Sequence, residues 1–375
     1  MSSIFSPDIY ANRIASVQRL CAEQHLDGII IPPGAQLAYL TGSWISTHER
    51  FSALVIPTHG TPSFFLPAVD RGDLAKSAIP ALDITVRGWE DGDQPHALAV
   101  AALDATDTSV IGIGSDLTAD HLLPIQQLLG AGTTTVLATS VLAELFIRKD
   151  EAEIEQLAQA GAAIDRVHAQ VPALLRPGRT EAEVAADISE LILTEHSAVD
   201  FVIVGSGPNG ANPHHDFSNR VLATGDVVVV DIGGTYGVGY HSDCTRTYVV
   251  GGPSALEDPA VTAFYDVLYQ AQEQACQAVR PGMTASQIDS VARDIITAAG
   301  YGEYFIHRTG HGIGLSTHEE PFIMQGNDLV LEPGMAFSVE PGIYIPGASG
   351  ARIEDIVVVT ADGCRRLNQQ PRVLQ

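Results

Sequence analysis

An α/β domain followed by a larger domain made of two related halves is the architecture this sequence predicts, from three observations. Up to residue 147, short apolar runs of strand character alternate with helical stretches, the pattern of an α/β domain. After the charged run Arg148-Lys149-Asp150-Glu151, a turn-and-helix motif occurs twice, 104 residues apart. Each copy leads to an apolar strand that reaches a carboxylate. The domains are therefore drawn as 1–147 and 148–375.

Taking the first domain in order, Ser6-Pro7 opens a helix with an N-cap and a proline at its first position. Tyr10, Ile14, Val17 and Cys21 recur at helical spacing behind it. Asp27 to Pro32 reads as a strand, and Phe51–Pro57 with Thr61–Pro67 as a hairpin around Thr58-His59-Gly60. Further strands are expected at Ile84–Trp89, Val110–Ile113 and Thr134–Ala138, with helices near 96–105 and 118–129. The one concentrated polar stretch, Ser46-Thr47-His48-Glu49-Arg50, reads as a solvated loop, and the domain holds no catalytic constellation.

In the second domain Arg176-Pro177-Gly178-Arg179-Thr180-Glu181-Ala182-Glu183 recurs as Arg280-Pro281-Gly282-Met283-Thr284-Ala285-Ser286-Gln287. In each copy a threonine stands three residues before Glu or Gln, a capping box for the helix that follows. Pro213-His214-His215-Asp216 matches Thr317-His318-Glu319-Glu320 at the same offset of 104. Leu222 to Gly225 with Asp231 then matches Leu331 to Gly334 with Glu340 at an offset of 109. Two related halves facing each other across a central site follow from this.

The stretch Val227-Val228-Val229-Val230-Asp231 reads as a buried strand ending in a carboxylate, because β-branched residues fit a packed pleat. Gly233 to Gly239 suits a hairpin turn, and a second strand carries Asp243, Thr245 and Thr247 on one face. Asp231 and Asp243 can thus meet, and buried carboxylates that meet must share a proton or a cation. A plainer reading has Asp231 capping a turn and Asp243 paired with Arg246. The second half adds Glu340 at the end of an apolar strand and Arg352-Ile353-Glu354 opening another, with Arg352 and Glu354 on one face. Between them lie His307, His311 and His318. Four carboxylates with histidine form a hard, oxygen-rich ligand set, favouring Mn²⁺ or a similar divalent ion over structural zinc, and they suit metal-assisted hydrolysis.

Composition bounds the function. The formal net charge of −25 opposes nucleic acid and anionic membranes as partners. No apolar run is long enough to span a bilayer, and Met1 to Pro7 does not read as a signal peptide. Cys21, Cys244, Cys276 and Cys364 lack any CxxC spacing and read as reduced, mostly buried thiols of a cytoplasmic protein.

The segments around Asp231, Asp243, His311, Glu340 and Glu354 closely resemble the pita-bread metallopeptidases, the family of aminopeptidase P, prolidase and methionine aminopeptidase. The domain before them, with Leu37-Ala38-Tyr39-Leu40-Thr41-Gly42, looks like the N-terminal domain of the creatinase/prolidase type found in the proline-specific members. The resemblance implies two divalent metal ions, Mn²⁺ first, with Co²⁺ or Zn²⁺ as substitutes. Asp231 would bind one ion, His311 and Glu340 the other, and Asp243 and Glu354 would bridge them. Glu340 would also take the proton of the attacking water. His214 and His318 match the histidines placed beside the substrate amide, and His307 and Arg352 match pocket positions. For His215 an ordinary loop histidine is the expected reading, and Arg352 could instead serve to neutralise Glu354. In the family the two aspartates commonly stand eleven positions apart, and here they stand twelve apart. A longer hairpin tip between Thr235 and Gly239, with both strands in register, would absorb the extra residue.

The implied activity is hydrolysis of the bond before proline in a di- or oligopeptide, leaning to Xaa-Pro dipeptidase, with aminopeptidase P action on longer peptides as the alternative. A metal-free creatinase-like hydrolase and a non-catalytic peptide- or protein-binding relative are the readings from other classes, and the full ligand set argues against both. A homodimer is expected on the same resemblance, with Trp44 or His48 on a loop that closes the partner's site.

Overall fold

The computed structural model describes residues 4–375, so the opening Met1-Ser2-Ser3 of the N-terminal segment read above lies outside the described residues. Two compact units divide at Phe146 and Ile147. Among the described residues, no helix is long and apolar enough to cross a membrane.

The first unit runs α1 (Pro7–Glu23), β1 (Gly28–Ile31), α2 (Ala35–Thr41), β2 (Ala53–Pro57), β3 (Ser63–Pro67), β4 (Thr85–Trp89), α3 (Pro95–Ala101), β5 (Val110–Ile113), α4 (Ala119–Leu128), β6 (Thr134–Leu137) and α5 (Thr139–Phe146). Its sheet has the order β4-β3-β2-β1-β5-β6. β1, Gly-Ile-Ile-Ile, is wholly buried near the middle, antiparallel to β2 and parallel to β5. Continuous apolar strands of this kind are what a sheet covered on both faces requires. Ser6 precedes α1, but its hydroxyl makes no capping bond. The sequence reading missed α2 and α5. In α2 the run Leu37–Thr41 is buried throughout, so no polar face remains to reveal a helical period. The polar stretch 46–50 lies outside helices and strands, as read.

The second unit begins with α6 (Glu151–His168), α7 (Val171–Leu174), α8 (Glu181–Glu195), β7 (Ala198–Ser206), β8 (Val227–Tyr236), β9 (Tyr240–His241) and β10 (Cys244–Val249). It continues with α9 (Pro259–Ala278), α10 (Ala285–Ala298), β11 (Gly310–Gly312), β12 (Glu319–Ile323), β13 (Ala336–Val339), β14 (Gly342–Ile345), β15 (Ser349–Arg352), β16 (Asp355–Val359) and β17 (Cys364–Arg366). One sheet has β8 between β10 and β7, with β9 also paired to β8; a second has the order β12-β11-β13-β16-β17, and β14 and β15 pair by themselves. Helices α8 and α10 pack their apolar stripes on separate cores, Ile188 and Ile192 against Val202 and Val230 in one, Ile288 and Ile296 among Phe337 and Val357 in the other.

The internal repeat has a structural counterpart. Thr180 and Thr284 each form a complete capping box, with Glu183 and Gln287. Thr180 bridges to Val221 and Thr284 to Val330, partners displaced by the 104 and 109 residues found in the sequence. Each half therefore folds its turn back onto the segment leading to its own carboxylate-bearing strand.

Candidate active site

β8 does not end at Asp231, as the sequence reading had it, but runs on through Tyr236. Asp231 is thus held inside a strand rather than capping a turn. The turn is reduced to residues 237–239, and pairing stays in one register from Tyr236↔Tyr240 to Asp231↔Thr245. The extra residue is accommodated at the tip, and Asp243, two before Thr245, shares the face of Asp231. Asp243 itself lies just before β10.

The threonines on that face fasten the second half to the first. Thr245 Oγ1 donates to Glu354 Oε2 at 2.8 Å, and Thr247 Oγ1 donates to the Arg352 carbonyl at 2.9 Å. Arg352 and Glu354 do not open one strand. Arg352 closes β15, Asp355 starts β16, and Ile353-Glu354 form the link between them. Arg352 acts on Glu354 only as a nearby charge, the last of the influences on that carboxyl; its direct partner is Asp231, to whose Oδ2 its Nη2 donates at 2.6 Å. Arg246 pairs with Asp355 at 2.7 Å and not with Asp243, because it points to the opposite face of β10.

His311 stands on β11 between two glycines that admit no side chain. A Cβ on Gly310 would lie 1.8 Å from the Ser338 carbonyl oxygen, and one on Gly312 2.2 Å from that of Glu320. The neighbouring strands can close on β11 only because both positions are glycine. His311 Nδ1 donates to the Gly312 carbonyl at 3.0 Å, which turns Nε2 toward the acids. Nε2 lies 3.1 Å from Glu340 Oε1 and 3.7 Å from Asp243 Oδ2. Ligand atoms of Asp243, His311 and Glu354 all fall within 4.8 Å of one another. With Asp231 and Glu340 they line one cleft of about 770 Å³.

The electrostatics of this cluster are those of a site built for positive charge. Burial, then the adjacent Asp231, pushes the Asp243 carboxyl well above its usual range. Burial, then Asp243, does the same to Glu354. For Glu340 burial is the largest single influence and works in the raising direction, but the His311 hydrogen bond together with the charges of His311, His307 and Arg352 outweighs it and holds the carboxyl low, at about 2. Asp231 Oδ1 and Glu354 Oε1 are buried with no hydrogen-bond partner among the described residues. Unpartnered carboxylate oxygens are costly to bury, and a divalent cation satisfies them at once. The donor set, oxygen-rich with one imidazole, fits that group.

Around the cluster, the cleft is also lined by His214, His307, His318 and Arg352, so the residues that the resemblance assigned to metal and substrate all line it. The His318 ring packs on that of His311 with centroids 3.9 Å apart. His307 Nδ1 donates to the Arg308 carbonyl at 2.7 Å, so its Nε2 accepts from the Tyr344 hydroxyl at 2.9 Å. Arg352 Nη1 donates to that same hydroxyl at 2.7 Å. His215 lies outside the cleft lining and bonds the buried Glu181 at 2.9 Å.

Two residues of the site went unread in the sequence. Tyr344 joins His307 to Arg352, yet its place in an apolar strand marks it only as a core aromatic. Arg308 also lines the cleft, stacked 4.5 Å over the Phe322 ring and 3.4 Å from His318 Nδ1. Its position next to His307 was the available signal.

Known proteins resemble this chain over nearly its whole length. The model of the Creatinase/Prolidase N-terminal domain matches residues 13–145, and that of Metallopeptidase family M24 matches residues 155–361. The probable dipeptidase PepE of Mycobacterium tuberculosis is 53% identical over 371 residues, covering 99% of this chain and 97% of that protein. An Xaa-Pro dipeptidase of Lactobacillus helveticus is 38% identical over 346 residues, covering 90% and 92%. The crystal structure of dipeptidase PepE from Mycobacterium ulcerans superposes with a TM-score of 0.94 at 53% identity, covering 99% of both chains. The two family models between them match both domains, and these relatives match nearly the whole chain: the chain belongs to metallopeptidase family M24, of the pita-bread fold.

Proposed function

We propose that the protein is a dinuclear-metal-dependent Xaa-Pro dipeptidase, hydrolysing the peptide bond before a C-terminal proline. The convergence of Asp231, Asp243, His311, Glu340 and Glu354 in one cleft, with buried carboxylate oxygens left for a cation, carries this reading. The names of the relatives, dipeptidase and Xaa-Pro dipeptidase, support the substrate class. Asp231 would hold one ion and His311 with Glu340 the other, with Asp243 and Glu354 shared; Mn²⁺ suits the set best, and Co²⁺ or Zn²⁺ could replace it. Bound there, the ions would supply an activated water and polarise the scissile carbonyl.

The chain's own groups do the rest. Glu340 Oε1 is engaged by Ser338 and His311, which leaves Oε2 to accept a proton from the attacking water. Burial, followed by the neighbouring His311, lowers the His318 pKa to about 4, so a neutral imidazole faces the substrate amide at physiological pH. His214 faces it from the other half. Arg352, through Tyr344, fixes the tautomer of His307. Arg308 forms no ion pair among the described residues, whereas Arg352 is committed to Asp231. In a dipeptide the C-terminal carboxylate lies one residue from the scissile carbonyl, about 3.5 Å along the chain. Arg308, one side chain beyond His318, is suited to receive it, which favours dipeptides over longer substrates.

The test is hydrolysis of Xaa-Pro dipeptides, Xaa-Pro amides and Xaa-Pro-Yaa tripeptides by metal-stripped protein with and without Mn²⁺. Manganese-dependent cleavage of the free dipeptides alone is expected. Equal rates on tripeptides would make the protein an aminopeptidase P, and no cleavage by metal-loaded protein would end the proline-specific reading. A homodimer in the cytoplasm completes the proposal; light scattering tests the first, and the Trp44→Ala and His48→Ala variants test a loop contribution to activity.

A further inference from the structure

Two buried acids outside the ligand cluster stand near the N-terminal ends of the two repeated helices, one turn apart in register. Glu181 is the first residue of α8 and Asp289 lies in the second turn of α10, both wholly buried. The Glu181 carboxylate accepts from Ser206 N (2.8 Å) and Oγ (2.6 Å), from Ser218 N (2.9 Å) and Oγ (2.6 Å), from His215 Nε2 (2.9 Å) and, on both oxygens, from Asn209 Nδ2 (3.0 and 3.1 Å). A carboxylate has about four lone-pair sites, so this one is saturated. Its donors come from the two ends of segment 206–218, the excursion between β7 and β8 whose exposed His214 lines the cleft. One buried anion therefore closes the base of the loop that presents His214.

Asp289 repeats the arrangement. Its Oδ1 accepts from Thr309 N at 3.1 Å and Oγ1 at 2.8 Å. Its ion-pair partner Arg293 donates to the carbonyls of His307 at 2.8 Å and Phe305 at 3.2 Å. Segment 305–309 brings His307 and Arg308 into the cleft.

We propose that Glu181 and Asp289 are a pair of positioning residues: each half uses one buried anion on its repeated helix to hold the segment that presents a histidine to the substrate. Glu181 acts through His214 and Asp289 through His307, so the proposal rests on reading those histidines as substrate-facing. Bonds to a buried anion are short and directional, which suits them to fixing a segment that carries a histidine into a cleft.

Steady-state kinetics on an Xaa-Pro dipeptide with Glu181→Gln, His214→Ala and the double variant separate this from a merely structural role. Glu181→Gln is expected to lower kcat/KM on the order of tenfold in the native background and less than about twofold when His214 is already alanine. Equal losses in both backgrounds, or none in the native one, would overturn the proposal. Hydrogen exchange supplies a readout that needs no activity: Glu181→Gln should speed exchange across 206–218 while sparing α8, and unchanged exchange there would also overturn it. If no Xaa-Pro peptide were cleaved, the substrate reading would fall while the exchange result still judged the clamp. Should Glu181→Gln not fold, Ser218→Ala removes one donor, the hydroxyl, keeps the anion and is judged by the same criteria. For the second half, Asp289→Asn is expected to couple to His307→Ala in the same way.

Discussion

At the residue scale the cluster sets stability against function. Asp243 and Glu354 are buried acids whose protonation burial favours, each raised further by a neighbouring acid. Without a cation their repulsion weakens the fold, and a bound cation would turn that repulsion into attraction. Asp243→Asn should therefore melt higher than the native protein after metal stripping and lower with metal present, with bound metal and kcat/KM each reduced on the order of 100-fold or more. Thermal melts with and without chelator check the crossover, and melting in the same order under both conditions would refute it. Tyr344 gives a second case. Its hydroxyl receives Arg352 and donates to His307, so Tyr344→Phe leaves two buried partners unsatisfied. A stability loss of about 1–3 kcal/mol and a fall in kcat/KM are expected; a variant that matched the native protein in denaturant titration would show that water replaces the hydroxyl.

The repeated elements make predictions as a pair. Thr180 and Thr284 each accept a bond from the backbone N–H three residues on, at 3.2 Å in both cases. Replacing either with alanine should cost about 1 kcal/mol, by the loss of one capping bond in each half. Denaturant titration of the two variants checks this, and a large inequality would mean that the two turns carry different loads. The strand β11 is more exacting. Gly310→Ala forces a methyl group into the Ser338 carbonyl, so it must displace β13 and the Glu340 that follows it.

At the scale of the whole molecule, acid sensitivity has an origin remote from the cleft. His168, at the end of α6, bonds Tyr248 OH and the Cys244 carbonyl, both at 2.9 Å. Burial, then the nearby Arg246, lowers its pKa from 6.5 to about 3. The unfolded chain therefore takes up this proton first. His168 favours the folded state fully above pH 6.5, and this contribution is lost as pH falls toward 3. Between pH 6.5 and pH 5 the loss amounts to roughly 2 kcal/mol. Urea titrations at the two pH values measure it, and His168→Gln should flatten the dependence. Glu181 adds a second, lower step. Burial alone would raise its carboxyl, but the bonds from Ser206, Ser218 and His215 hold it at about 2, so its contribution is lost below about pH 4.5.

How much was legible follows from the range of each interaction. The β8–β10 hairpin, its face and its register were readable because side chains alternate locally along a strand and the tip absorbs the added residue. The repeat and both capping boxes were readable for the same reason, being patterns within a few residues. The ligand types and their order along the chain also stood in the sequence. Partner choice did not. Arg352 meets Asp231 across 121 positions and Thr245 meets Glu354 across 109, pairings decided only when the two halves pack. Tyr344, Arg308 and the Glu181 and Asp289 clamps share that origin. The sequence by itself determined which groups could form a hard cation site and which strand faces carry them. Only the tertiary structure decided which oxygens remain for the cation and which are taken by protein, because each such bond joins segments that local pattern cannot connect.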